Sequence, residues 1–361
     1  MIIISAIIDF FSKVISFFSD NVLPYIIAIL LFLILIIIHE FGHFIAAKLL
    51  GVRVNEFAVG FGPKLLKWGK KETKYAINLI PFGGYCAMEG EEEASGDARA
   101  FCNKAAWRRF LIVIMGATFN LILGLVLVAI TLIPQKRFTT TTVAAFHENA
   151  VSQEYGLQED DKIIAVDGRK IFTTYDLGYA FSNIDDGVVD ITVKRDGKKV
   201  NLDNVKFASE EIDDINYLTV DFYVEGKDKT FSSFIGHTFD TAVSNCAVVY
   251  RSLIDLVTGR YGISAVSGPV GVTAAIGDIA KTNVMDLIQI MALITINLGL
   301  FNLLPIPALD GGRLVFILFE MIFRKPVPQK YESVIHAVGM ALLLLFMVAI
   351  TFKDIWTLIT G

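Results

Sequence analysis

Four stretches of this chain are apolar for longer than a soluble helix ordinarily is. They run over Leu23–Leu50, Phe110–Ile133, Val284–Leu304 and His336–Phe352. A helix needs about 20 apolar residues to cross the hydrocarbon core of a bilayer, so each reads as a transmembrane segment. A hydrophobic content of 54% over 361 residues agrees, because soluble enzymes of this length are rarely so apolar. The first stretch is too long for a signal peptide, and no small-residue cleavage site follows it. Residues 1–22 differ: Asp9, Ser12, Lys13, Ser16 and Asp20 interrupt the apolar run at near-helical spacing. That pattern predicts an amphipathic helix lying on the membrane surface.

Lysine and arginine in the loops set the orientation. The loop between the first two spans carries Arg53, Lys64, Lys67, Lys70, Lys71, Lys74, Arg99, Lys104, Arg108 and Arg109. The short loop after the third span carries Arg324, Lys325 and Lys330. Two crossings separate these basic loops, so both fit on the cytoplasmic side of the cell membrane. The segment between spans two and three contains "EDD" and "EEIDD" and falls outside. The net charge of −5 reflects that segment and argues against a nucleic-acid partner. The cysteines Cys86, Cys102 and Cys246 form no CxxC pair, and no structural disulfide is implied.

The expected order begins with an interfacial helix over 1–22 and a transmembrane helix over 23–50. A cytoplasmic, membrane-associated β-hairpin region follows over 51–106, where short β-prone pieces alternate with Gly, Pro and Lys-rich turns. A second transmembrane helix covers 107–134. Residues 138–227 form a small α+β unit, because "DDKIIAVDGRKI" and "VVDITVKRDGKKVNL" each read as two strands around an Asp-Gly turn. An interfacial helix and a turn-rich "SGPVG" linker take 230–282. A third transmembrane segment, with a break, covers 283–323 and a fourth covers 333–357. The fold class is thus a polytopic α-helical membrane protein with four transmembrane helices, membrane-associated hairpins and an inserted α+β domain.

Inside the first span lies His39-Glu40-Phe41-Gly42-His43. Positions i and i+4 share one face of a helix. Two imidazoles there can hold a zinc ion, and Glu40 beside them can take a proton from water activated by it. Ionisable groups at the bilayer centre cost about 2.5–3.5 kcal/mol each on insertion scales, so a chance match is disfavoured. A catalytic zinc usually takes three protein ligands. "NLLPIPALDGG", Asn302 to Gly312, offers the third. Pro305 and Pro307 break the helix, and broken backbone at membrane depth needs protein or a wet cavity around it. Asp310 sits in that break and can turn towards the metal; its competing role is to cap a helix starting near Gly311. Asn120 and Asn297 read as amides bonding between helices. Asn302 lies nearer the metal candidate and is placed to hold a substrate carbonyl. His336 reads as a packing histidine, and His147 and His237 lie too far out to reach the metal.

Together these residues resemble the site-2 protease family of intramembrane zinc metalloproteases, of the peptidase M50 type. The resemblance is closest to the bacterial branch with an inserted PDZ domain. It spans nearly the whole chain, in the order HExxH, "GFGPKLL", "IPFGGYCAMEGE", "GATFN", "AVSQEYGLQEDDKIIAVDGRKI", "SGPVG" and "NLLPIPALDGG". The chain departs from it at Ala117, where proline is common, and at "QEDD", which lacks the usual glycine. The resemblance implies one zinc per chain on His39, His43 and Asp310, with Glu40 as catalytic base. It implies that Asn302 contacts the substrate backbone. It also implies that the hairpins holding Gly60, Gly62, Gly83 and Gly84 receive the substrate as an added strand. It further implies that residues 138–227 form a single PDZ domain outside the membrane, acting as a size filter.

The expected function is an intramembrane endopeptidase of regulated intramembrane proteolysis. It would cut single-span membrane proteins after another, site-1, protease has removed their outer part. Anti-sigma factors, signal-peptide remnants and pheromone precursors are the candidate substrates, and membrane lipid is the other partner. From His39 to Gly51 is about 18 Å of helix and from Pro24 about 22 Å, so the cut falls somewhat towards the cytoplasmic half. A tethered soluble-type zincin conflicts with the lipid-buried run "ILLFLILIIIHEF". A metal transporter would need polar paths that the other spans lack. A metal-binding receptor or scaffold with a PDZ domain predicts instead that Glu40→Gln keeps function.

Overall fold

The computed structural model describes residues 22–360, apart from 70, 71, 92, 94, 182, 183, 185, 186, 213, 214, 261, 263–265 and 282. The amphipathic helix expected over 1–22 therefore lies outside the described residues, except for Val22. Four described helices are long and apolar enough to cross a membrane: Leu23–Leu49, Ala106–Leu132, Val284–Leu303 and the Lys330–Thr357 portion of a longer one. The protein is a multi-pass membrane protein. Its residues fall into two compact units, one of residues 1–127 and 259–361, the other of residues 128–258.

In the first unit, α1 (Leu23–Leu49) begins at a proline in its first turn and buries one stripe, which includes Leu35, His39, Gly42, His43 and Ala46. It ends in a Schellman motif. Gly51 takes φ +74°, Val52 N–H donates to Ala47 O at 2.8 Å, and Gly51 N–H donates to Lys48 O at 3.3 Å. Those bonds satisfy carbonyls the helix itself leaves open. The strands β1 (Val54–Trp68) and β2 (Lys74–Met88) pair antiparallel with several register shifts. The base of this pair packs into a core with α1 that includes Ala46, Val54, Met88, Phe101 and Ile112. Its far part leaves Phe61, Leu65, Leu66, Trp68, Leu79 and Ile80 exposed.

The helix α2 (Ala106–Leu132) crosses α1 closely enough that Gly42 lies against the Met115 carbonyl. Small residues permit such approaches between membrane helices. The sequence "SGPVG" is expected to form a linker, but it opens a helix instead: α5 spans Pro269–Ala280 with its proline in the first turn. Proline there costs no hydrogen bond. Asp354 accepts from the Gly268 and Gly271 N–H groups at 2.9 and 2.8 Å, supplying a carboxylate to that helix start. The third membrane segment is two helices, α6 (Val284–Leu303) and α7 (Asp310–Phe323), joined by the Pro305–Leu309 turn. The last helix, α8, runs over Gln329–Thr360.

In the second unit an antiparallel sheet has the strand order β10-β3-β4-β6-β7, with β5 paired to β4. Its strands are β3 (Arg137–Phe146), β4 (Lys162–Val166), β5 (Arg169–Lys170), β6 (Val188–Arg195), β7 (Lys198–Lys206) and β10 (Phe222–Asp228). The short β8 (Ser209–Ile212) and β9 (Ile215–Leu218) pair separately. The turn β4–β5 has Asp167 at φ 46° and Gly168 at φ 71°, and β6–β7 has Asp196 at 49° and Gly197 at 79°. Two successive positive φ values mark the turn type whose twist matches the strands. A core of Val143, Leu157, Ile163, Phe181, Ile191 and neighbours lies under α3 (Thr174–Phe181). The long α4 (Phe231–Val257) starts with a capping box on Thr230 and Ser233. It is tied to the sheet unit by Thr173–Ser244 and Tyr179–Asp255 hydrogen bonds, both 2.9 Å.

Candidate metal centre

The helical repeat of α1 turns His39 and His43 to the same buried face, with Nε2 atoms 3.2 Å apart. The start of α7 brings Asp310 to them. Its Oδ2 lies 3.0 Å from His39 Nε2 and 3.2 Å from His43 Nε2. Asp310 is the first residue of α7 and does not cap it; Leu309 holds the cap position without a side-chain bond. His43 Nδ1 is 2.9 Å from the Ile112 carbonyl, which can only accept. The neutral ring therefore carries its proton on Nδ1 and a lone pair on Nε2. Asp310 Oδ2 is buried and has no aligned donor. Lone pairs gathered this closely repel one another unless a cation stands among them. Ligands about 2.0–2.1 Å from a tetrahedral zinc lie about 3.3 Å apart, close to the observed separations. Among the described residues these three form the one group of this kind, with ligand atoms all within 4.8 Å of one another.

The next ring of residues explains why the face holds two imidazoles. Gly116 of α2 lies against them: a methyl group there would overlap His43 Nε2 and come 2.9 Å from His39 Cε1. Asn120, one turn further along, is fully buried. Its amide faces His39 Nδ1 at 3.3 Å. Its Oδ1 lacks a partner. With that amide turned over, Oδ1 accepts from Nδ1–H and leaves His39 Nε2 free for a metal. Sequence reasoning gave Asn120 only an interhelical bond. Its spacing of four from Gly116 in "GATFN" is the signal that links the two to one face.

Glu40 lines a cavity of about 1460 Å³ together with His43, Asp310, Phe61, Gly84 and Tyr85. The hairpin reaches Glu40 at Gly84, where a Cβ would stand 3.5 Å from Glu40 Cγ. Gly60, Gly62 and Gly83 take φ of 80°, 87° and 92°, and a Cβ at Gly60 would stand 2.5 Å from Ile80 O. These glycines shape the bulged strands rather than the cavity wall. Asn302, in the last turn of α6, is not among the cavity-lining residues. On the hairpin, burial opposes charge on Glu56, but hydrogen bonds from Lys64 and Tyr85 outweigh it and hold its carboxyl below the usual range. Burial, with Glu40 and Glu91 nearby, pushes the Cys86 thiol far above its ordinary value. The cavity also receives the Glu91–Arg313 and Arg109–Glu320 ion pairs. Within the second unit, His147 packs on Tyr223 and His237 stacks on Phe138, with centroids 4.3 and 4.6 Å apart.

A His-Glu-x-x-His helix, a half-buried carboxylate facing it and four membrane-length helices define a multi-pass zinc metalloprotease. The profile of peptidase family M50 matches residues 27–346. The chain belongs to that family. It is 37% identical to a protein of Clostridium perfringens named as a zinc metalloprotease, over 91% of this chain and 98% of that one. A Clostridium acetobutylicum protein of the same description is also 37% identical, over 91% and 96% of the two chains. The regulator of sigma-W protease RasP of Bacillus subtilis is 28% identical, over 94% of this chain and 99% of that one.

Proposed function

We propose that the protein cleaves transmembrane segments within the membrane, with zinc held by His39, His43 and Asp310 and with Glu40 as the proton carrier. The observation that carries this is the cluster of His39, His43 and Asp310 beside a cavity that Glu40, His43 and Asp310 line, two of the ligands and the base lying on a membrane-length helix. Bound there, zinc acidifies water and polarises a carbonyl. Glu40 accepts the proton of the attacking water as its oxygen bonds to the scissile carbonyl carbon. Glu40 then gives that proton to the amine nitrogen as the C–N bond breaks. An open edge of the β1–β2 pair would hold the unwound substrate as an added strand, since a helix hides its own carbonyls in hydrogen bonds. Gly84 beside Glu40 supports that placement. Asn302 is assigned to the substrate backbone.

The basic loops argue for a cytoplasmic hairpin, and hence for a cut in the cytoplasmic half of the bilayer. Residues 138–227 are read as a PDZ-like unit on the outer side that screens substrates by size after a first, external cut. The name of RasP, a regulator of sigma-W protease, favours a single-span anti-sigma factor as substrate. Signal-peptide remnants and pheromone precursors are the other classes. The test compares the purified wild type with Glu40→Gln on a single-span substrate in detergent, with zinc measured in both. Cleavage by the wild type alone, with one zinc per chain in each, supports the assignment. Equal cleavage by both sinks it.

A further inference from the structure

Asp310 reaches the two histidines from a stretch of chain that does not hold itself. Between Leu303 and Asp310 the backbone bonds of Leu304, Ile306 and Leu309 are local: Leu304 N–H to Phe301 O, Ile306 N–H to Leu304 O, and Leu309 N–H to Ile306 O. The N–H of Ala308 leaves the loop. It donates to His336 Nδ1 on α8 at 3.0 Å. Ala308 is also the residue of this turn with a left-handed backbone, at φ 81°. An L-residue other than glycine avoids that region unless its surroundings over-determine it. Two residues later stands Asp310. A relaxation of Ala308 towards negative φ would swing the following peptide units and with them the carboxylate.

Further contacts join the same helix to the same turn. Gly339, one turn beyond His336, lies directly under Pro307; a Cβ there would come 2.9 Å from the Pro307 carbonyl carbon and oxygen. The His336 ring packs on Phe316 of α7, with centroids 5.8 Å apart. Because Nδ1 accepts, the proton of the neutral ring belongs on Nε2. His336 is not one of the three clustered ligand residues, His39, His43 and Asp310.

The geometry points to His336 as a positioning residue: it pins the strained Ala308 turn and thereby aims Asp310 at the zinc. It rests on Asp310 being a ligand, as proposed above. Outer-shell partners of metal ligands typically account for 10–100-fold in metal affinity. The experiment measures zinc affinity by chelator competition on the purified full chain in detergent, with helix content followed by circular dichroism. His336→Leu should lose about 10–100-fold in affinity. His336→Asn, whose Oδ1 can stand where Nδ1 stood, should keep most of it. Ala308→Gly takes the left-handed conformation without strain, so adding it to His336→Leu should recover affinity although no acceptor returns. Gly339→Ala, which shifts α8 off Pro307, should weaken zinc with His336 intact, and it serves if the leucine variant does not fold.

Equal losses in His336→Leu and His336→Asn, with no recovery by Ala308→Gly, would make His336 a space-filling residue and overturn the proposal. So would wild-type affinity in both His336→Leu and Gly339→Ala. Asp310→Ala is measured alongside. If it holds zinc as tightly as the wild type, Asp310 is no ligand and the proposal falls for that separate reason.

Discussion

The two halves of the candidate metal centre are built in opposite ways. His39 and His43 come from an unbroken helix and meet because residues four apart lie one above the other. Asp310 follows a turn with two prolines and an alanine at φ 81°, a conformation that costs roughly 1–2 kcal/mol for an L-residue. Gly311 and Gly312 then pack against Leu303–Leu304 and Ile306–Pro307 backbone. The histidine half is set by its own periodicity, with room at Gly116 and polar partners on the adjacent helix for the outer ring nitrogens. The aspartate half is set by parts of the chain far from it in sequence. A regular element can carry a site by repetition, whereas an irregular one needs its neighbours to fix it.

The hardest blow to this comparison leaves both halves standing. Glu40→Gln should lower turnover by about 10²–10⁴-fold, the usual reach of a general acid–base group, while zinc stays bound. Zinc loss in that variant would show Glu40 to be part of the ligand set. Next in size is Gly116→Ala, which attacks the histidine half alone. Its methyl group meets His43 Nε2 and His39 Cε1, and overpacking of this kind costs about 1–3 kcal/mol. Zinc occupancy should fall sharply in equilibrium dialysis while α7 keeps its place. Unchanged occupancy would mean that α1 and α2 separate more easily than the close contact of Gly42 with Met115 implies.

The same contrast governs what could be read from the sequence. The HExxH face, the four spans and the Asp-Gly turns all follow from local period or local turn chemistry, and the structure has them. The break before Asp310 was legible because two prolines and two glycines advertise it in an apolar run. The linker expected at "SGPVG" was wrong, because Asp354, more than eighty residues away, offers the acceptor that lets Pro269 begin a helix. Asn120 and His336 read as bonding or packing groups for a like reason. What each faces, Nδ1 of His39 or the N–H of Ala308, lies at a sequence separation of 81 or 28 residues. No single-chain pattern encodes such a pairing.

A smaller effect sharpens the histidine half. Asn120→Leu keeps the volume but removes the amide that faces His39 Nδ1. Zinc affinity should drop about 10–100-fold, and Asn120→Asp, which keeps an acceptor there, should drop less. If leucine has no effect, His39 needs no partner and its rotamer is fixed by packing against Gly116 alone.

The smallest effect concerns the hairpin base, which contributes no residue to the ligand cluster. At the base of the hairpin, Glu72 accepts from Lys48 at 2.8 Å and from Arg99 at 2.5 Å. Asp97 accepts from the Arg99 N–H at 2.8 Å and from Arg53 at 3.1 Å. These donors hold both carboxyls below their usual ranges. A carboxyl whose folded value is depressed stabilises the fold above its unfolded value, and that contribution fades as the pH falls through the folded one. Lowering the pH from 7 to 5 should therefore leave hydrogen exchange over residues 53–104 unchanged. Loosening should begin only below the ordinary carboxylate range, near pH 4. Both groups are partly exposed, so added salt should mimic acid weakly. Loosening that already starts near pH 6 would show that bonds other than those of Glu72 and Asp97 hold the hairpin base.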